Sequence, residues 1–132
     1  MSVVVGYVAT PEGAAALDTA VAEARTRGVG LVVILSERGH RFGGEAPDLD
    51  AQAADVRARV QGSGVEVDVR QTGTGRDVAE DIIDAAREAG AQLIVIGLRR
   101  RSPVGKLLLG SNAQRILLDA PCPVLAVKPP TS

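Results

Sequence analysis

One stretch of the sequence decides the fold: Ile94-Val-Ile-Gly-Leu-Arg-Arg-Arg-Ser-Pro-Val-Gly-Lys-Leu-Leu-Leu-Gly-Ser-Asn112. It begins as an apolar strand, turns at Gly97, continues as a basic loop and reaches a helical pattern at Gly110-Ser111. Backbone N–H groups exposed at a helix start favour bound anions, phosphate included. Ser111 and Gln114 match a Ser-x-x-Gln capping box, which predicts Ser111 as the N-cap. The stretch is therefore typical either of a phosphate-binding loop or of a tight connection between two buried elements.

The composition predicts a single domain, residues 1–132, with an aliphatic core. The chain has 132 residues, and 45% of them are hydrophobic, which is ample for one core. With one Tyr, one Phe and no Trp, the core must be built from Val, Ile, Leu and Ala, as in parallel sheets. The scarcity of aromatic rings removes the stacking platforms of a single-stranded nucleic-acid binder, and a net charge of −1 implies no polyanionic partner.

The sequence also indicates a cytoplasmic protein without a membrane segment. No apolar run approaches the length of about 18 residues that a spanning helix needs, and the first residues lack the charged region of a signal peptide. The single cysteine, Cys122, permits no intrachain disulfide, which fits a reducing compartment. His40 is the only histidine, and no metal-ligand spacing or Gly-x-Ser-x-Gly motif is present. We therefore expect neither a metal site nor a catalytic triad.

Apolar strands alternate with helical patterns along the chain. Strands are predicted at residues 3–8, 31–35, 65–70, 93–96 and 124–127. Four helices are predicted between them, and they begin at Thr10-Pro11, Asp48, Asp77 and Gly110-Ser111. Such alternation predicts an α/β fold, an open parallel five-stranded sheet with helices on both faces. The third strand alternates apolar and polar residues, which indicates a sheet edge. Right-handed crossovers then favour the order 3-2-1-4-5, a Rossmann-like arrangement.

This order has a topological switch point between the first and fourth strands. Ligands in open α/β sheets bind beyond the carboxyl ends of the strands at that point. Residues 7–10 and the loop after Gly97 flank it. The opening stretch therefore lies where a ligand site is expected.

The fifth strand, Val124–Val127, is apolar and is predicted at the other edge of the sheet. A bare apolar edge invites pairing with another strand. We expect this strand to meet its own copy across a two-fold axis and to form a homodimer. The alternative is a short edge that is shielded by residues 128–132.

Two motifs carry a family resemblance. Gly97 and Gly110-Ser111 fill the first and last positions of Gly-x2-Gly-x9-Gly-(Ser/Thr), and the chain closes with Ala120-Pro-Cys-Pro-Val-Leu-Ala-Val127. With these residues, the segment from Asp81 to Lys128 resembles the universal stress protein family, and the five-strand plan extends the likeness over nearly the whole chain. The resemblance implies an adenine-nucleotide-binding fold, a cytoplasmic homodimer and a role in surviving stress. Some members bind ATP, and others do not.

The resemblance implies an ATP site at the segments that flank the switch point, with two departures from the family pattern. Arg100 replaces the second glycine, which would let the backbone approach the phosphates closely, so Arg100 offers charge instead. The resemblance implies that ATP-binding members carry an Asp at the end of the first strand and that this Asp contacts the nucleoside. Val8 takes that place here, and a valine side chain cannot accept a hydrogen bond from a ribose hydroxyl. The expected cofactor-binding residues are Val8, Ala9, Thr10, Gly97, Arg99, Arg100, Gly110, Ser111 and Asn112.

Three functions are open from the sequence. The first is a dimeric stress-response binding or regulatory module that binds ATP at the Gly97–Ser111 loop, with no catalysis of its own or only slow hydrolysis. The second is a nucleotide-independent dimeric interaction protein with a degraded site, in which the dimer or residues 36–47 meet a protein partner. The third is an ATPase or nucleotidyl-group enzyme. Val8 disfavours this third function, because an apolar side chain occupies the position where a carboxylate would be most useful as a general base or Mg²⁺ ligand.

Overall fold

Parallel strands and helices alternate in this computed structural model, which describes residues 1–36, 48–72, 77–98 and 110–128. The elements are β1 (Ser2–Gly6), α1 (Pro11–Arg27), β2 (Gly30–Ser36), α2 (Leu49–Val60), β3 (Val67–Thr72), α3 (Val78–Glu88), β4 (Ala91–Gly97), α4 (Ser111–Asp119) and β5 (Val124–Val127). All pairings are parallel and the strand order is β3-β2-β1-β4-β5. The predicted fold class and strand order are therefore confirmed.

The sheet separates two apolar cores. Val3 and Val5 of β1 face the core that α1 and α2 cover, whereas Val4 faces the core under α3 and α4. All three side chains are 0% exposed. Because successive side chains of a strand point to opposite faces, a continuous apolar strand serves both cores at once.

Local capping explains where the first two helices begin and end. The Gly13 N–H donates to the Thr10 hydroxyl oxygen at 3.1 Å, so Thr10 caps α1 as predicted. Gly28 ends α1 in the left-handed conformation with φ 67°. Asp48 caps α2 by accepting from the Ala51 N–H at 3.0 Å. These ends are encoded within four residues of the chain, which is why the sequence predicts them well.

The predicted start and inner face of α4 are wrong in two respects. Gly110 is the N-cap and Ser111 is the first helical residue, so Ser111 does not cap the helix. Gly110 is extended (φ −73°, ψ 169°), and its carbonyl accepts from the Gln114 N–H at 3.0 Å, which closes the first turn one residue earlier than predicted. The apolar pattern of this helix predicts one inward face of Ala113, Ile116, Leu117 and Ala120. Ile116 is buried and the two alanines pack against the core, but Leu117 is 43% exposed.

The two edges of the sheet differ in chemistry. On β3, the Arg70 guanidinium lies 3.0 Å from the Asp68 carboxylate and 3.8 Å from that of Glu88. On β5, Leu125 is 36% exposed and Ala126 is also exposed. A charged edge resists pairing with another strand, whereas an apolar edge favours it.

No helix within the described ranges is both long enough and apolar enough to cross a membrane.

The Asp48 cap gives a first testable prediction. Asp48→Ala removes the acceptor of the Ala51 N–H and should lower the free energy of unfolding by about 1 kcal/mol, measured by urea denaturation. Asp48→Asn keeps an acceptor of the same shape and should lose much less. An equal loss in both variants would mean that the carboxylate charge, and not the capping bond, stabilises α2.

Candidate functional site

A crevice lies at the predicted switch point. β1 and β4 pair side by side. Beyond their carboxyl ends lies a crevice of about 620 Å³, a volume that includes space open to solvent. Among the described residues its lining side chains are chiefly apolar: Val8, Ile34, Val78, Ile82, Ile96, Ala113 and Ile116. Glu12 and Asn112 add polar groups, and Gly6, Gly13 and Gly97 add bare backbone. The site thus offers an apolar surface with few polar groups at its margin.

The crevice brings together some of the residues that we expected there and not others. Val8, Gly97 and Asn112 line it, and Gly110 immediately precedes the helix that forms one side. Thr10 turns its hydroxyl to the α1 amides instead, and Ala9 is exposed beside it.

Several expected features lie outside the described residues. These are Arg99, Arg100, His40, the side chain of Ser111, and residues 37–47 of the segment 36–47 that was considered as a contact for a protein partner.

The chain bends sharply where β1 ends, two residues before the predicted end at Val8. The Tyr7 N–H still donates to the Ile34 carbonyl at 3.0 Å, but the Thr10 N–H donates back to the Val8 carbonyl at 2.8 Å. This turn takes residues 8–10 out of the strand and into the start of α1. The Val8 side chain is left at the crevice wall, half-buried.

Two glycines allow this turn and β4 to pack directly against the first turn of α1. A Cβ on Gly97 would lie 2.5 Å from the Glu12 carbonyl oxygen, and a Cβ on Gly13 would overlap the Val8 carbonyl. The sequence predicts Gly97 as the turn after the fourth strand and as a cofactor-binding glycine of the family motif. The structure shows that Gly97 is also required by backbone packing inside the protein, whatever the ligand.

The start of α4 faces the crevice without acidic residues of its own. Its N-cap, Gly110, has no side chain, and its first turn holds no Asp or Glu, whereas α1, α2 and α3 each carry an acid there. Asn112 and Ala113 of this turn line the crevice. Unsatisfied N–H groups and the helix dipole make such a turn electropositive.

Arg115 ties the two helices that flank the crevice. Its guanidinium lies 3.0 Å from the Glu80 carboxylate and 3.6 Å from that of Asp77, both at the start of α3, and 3.8 Å from Asp119. Sequence reasoning treated Glu80 as part of a solvated face and did not single out Arg115. Each pair is half-exposed, so we assign the network a positioning role and little stability.

The sequence also left several lining residues unassigned to the site. Ile82 and Ile116 belong to the core and to the crevice wall at once, and Glu12 also lines the crevice. Position was the available signal for Glu12 and Ile116, because each lies in the first or second turn of a helix that follows a strand ending at the switch point. The edge strand β3 precedes the helix of Ile82, so this signal does not reach it.

The remaining reactive side chains are occupied by packing. The Tyr7 ring lies in the core beneath α1 and α2, where burial raises the pKa of the phenol and the charge of Arg59 partly offsets the shift. Burial likewise raises the pKa of the Cys122 thiol, which packs against the other core. Across the described ranges, no group of three or more His, Cys, Asp or Glu residues could hold a metal ion.

Comparison with known proteins identifies relatives over the whole length. The model of the universal stress protein family matches residues 1–128. A universal stress protein of Mycolicibacterium smegmatis is 46% identical over 127 residues, which cover 96% of this chain and 97% of the relative. The structure of a universal stress protein from Archaeoglobus fulgidus is 34% identical with a TM-score of 0.73, covering 97% of this chain and 98% of that one. A further structure from that organism, in complex with dAMP, is 30% identical with a TM-score of 0.69 and the same coverage.

The packing role of Gly97 can be tested without any ligand. Gly97→Ala forces a Cβ against the Glu12 carbonyl and should lower the free energy of unfolding by about 1–3 kcal/mol in urea denaturation. Gly30→Ala is the matched control, because a Cβ there lies an ordinary 3.5 Å from the Glu66 carbonyl oxygen. That variant should be neutral or slightly stabilised through the unfolded chain. Equal stability of the two variants would contradict the packing role.

Proposed function

This chain belongs to the universal stress protein family, and we propose that it is a dimeric binding module for an adenine nucleotide, ATP in particular, that acts in the response to stress. The observation that carries the proposal is the acid-free start of α4, which faces an apolar crevice at the switch point of the sheet.

The crevice suits the base of a nucleotide. The crevice is open to solvent and is lined chiefly by apolar side chains, as small-molecule sites are. Ile34, Val78 and Ile82 form an apolar wall against which a planar ring can be desolvated. Few polar groups are needed to orient such a ligand, and the crevice margin supplies them through Asn112 and backbone.

The start of α4 suits the phosphates. The N–H groups at its start and the helix dipole favour a negative charge, and glycine at the N-cap places no side chain of its own over them. Within the proposal, Gly110 and Asn112 contact the phosphates, and Gly97 lines the crevice beside them. The contacts of Arg99, Arg100 and Ser111 stay predictions from the sequence.

The relative from Archaeoglobus fulgidus that was solved with dAMP supports binding of an adenine nucleotide in this fold. The choice of ATP rests on the sequence, since three consecutive arginines, residues 99–101, can neutralise a polyphosphate.

We further propose that the module has no catalysis of its own beyond slow hydrolysis. Val8 supports this, because an apolar side chain holds the wall position where an acid could orient water or Mg²⁺. The cytoplasmic location also stays a prediction from the sequence.

The nucleotide proposal predicts measurable binding. Calorimetric titration with ATP should give saturable binding at or below millimolar concentrations, and phosphate release from bound ATP should be slow. Gly110→Val adds a branched side chain at the N-cap of α4 and should weaken binding about tenfold or more. The extended backbone of Gly110 accommodates valine, so the fold should survive.

Ala54→Val on the exposed face of α2 is the control and should bind ATP like the wild type. Failure of the wild-type protein to bind millimolar ATP would favour the alternative, a nucleotide-independent interaction protein.

For assembly, we propose pairing of β5 with its own copy across a two-fold axis. The exposed Leu125 and Ala126 support it, as does the contrast with the charged β3 edge. In symmetric pairing, the apolar β5 strand of each subunit covers the same strand of its partner, as expected for a homodimer.

Leu125→Asp places like charges near the two-fold axis and should convert the dimer to monomers in sedimentation analysis. Ala54→Asp introduces the same charge at an apolar, exposed position of α2, which packs on β2 and β3, and should leave the dimer intact. A dimer that persists in Leu125→Asp would rule out β5 as the interface.

A further inference from the structure

We infer that this site does not select for ribose: it binds 2′-deoxy-ATP at least as tightly as ATP, because Val8 forms the wall beside the sugar. The inference rests on the proposed nucleotide function and adds its sugar specificity.

The order of the strand ends places the sugar. Along the crevice, Ile34 of β2 lies at one side, the end of β1 in the middle, and the end of β4 with the start of α4 at the other side. Phosphates held at Asn112 and an adenine against Ile34 leave the sugar over the end of β1. The side chain at that point of the wall is Val8.

The surroundings of Val8 offer a hydroxyl little to bond. The Val8 carbonyl accepts from the Thr10 N–H at 2.8 Å and packs against Gly13, so it is turned toward α1. Among the described lining residues, Gly6 and Ile82 bring no polar side chain, and Glu12, beside Gly13 in the first turn of α1, already takes part in another interaction.

A 2′-hydroxyl therefore gains nothing at this wall. Desolvated against valine it loses its bonds to water, and left in the open mouth of the crevice it keeps them, as it did in solution. A site built to bond a hydroxyl rejects the analogue that lacks it by about 10⁴-fold or more, whereas an apolar wall discriminates by no more than about 10²-fold. Affinity must then come from the base and the phosphates.

The test is a pair of calorimetric titrations of the wild-type protein, with ATP and with 2′-deoxy-ATP. We expect the dissociation constant of 2′-deoxy-ATP to equal that of ATP or to be lower, by up to about tenfold. ATP binding more than about tenfold tighter than 2′-deoxy-ATP would overturn the inference and leave the nucleotide function standing. Absence of binding by both would overturn the nucleotide function and the inference together.

Two variants test whether Val8 is the responsible wall. Val8→Asp supplies an acceptor and should make ATP bind about tenfold tighter than 2′-deoxy-ATP, even where repulsion by the phosphates weakens both. Val8→Leu has a branched side chain of similar shape without an acceptor and should keep the wild-type ratio. A ratio in Val8→Asp equal to that of wild type would show that the sugar lies elsewhere and would overturn the inference.

Discussion

Complete burial of β1 on both faces is the constraint on which the rest of the structure depends. Val3, Val4 and Val5 have no exposed surface, so helices must cover the sheet on both sides. A parallel strand needs a crossover to each neighbour, and β1 has β2 on one side and β4 on the other. After β1 the chain crosses over toward β2, and after β4 it crosses over in the other direction, toward β5. The crevice is the space between these two connections, beyond the carboxyl ends of β1 and β4.

Sequence reasoning succeeded wherever the information is local or periodic. The alternation of residues 65–70 marked the β3 edge, and the continuous apolar runs marked the central strands, which together gave the strand order. It failed where a distant contact decides. The need for glycine at position 97 depends on the carbonyl of Glu12, which is 85 positions away in the chain (97 minus 12). The end of β1 was also misplaced, although the turn that sets it, from the Thr10 N–H to the Val8 carbonyl, is local.

The candidate site shows the same division. Its position followed from the strand order, but its walls are residues whose pattern marks them only as core, such as Ile82 and Ile116. The apolar pattern of a helix reports which face is buried and not whether a neighbour fills the space above it. Two features set the chemistry of the site: Val8, an apolar residue after β1 that departs from the family pattern, and the start of α4, which has no acidic residue.

The unequal edges of the sheet limit how far the protein can grow. A sheet with two receptive edges can add copies without end and form a fibre. Here the ion pairs of Arg70 with Asp68 and Glu88 blunt one edge, and among the described strands only β5 has exposed apolar side chains at an edge. Pairing of β5 with a copy uses that edge in both molecules. The resulting ten-stranded sheet would end in charged strands on both sides, so growth would stop at two copies.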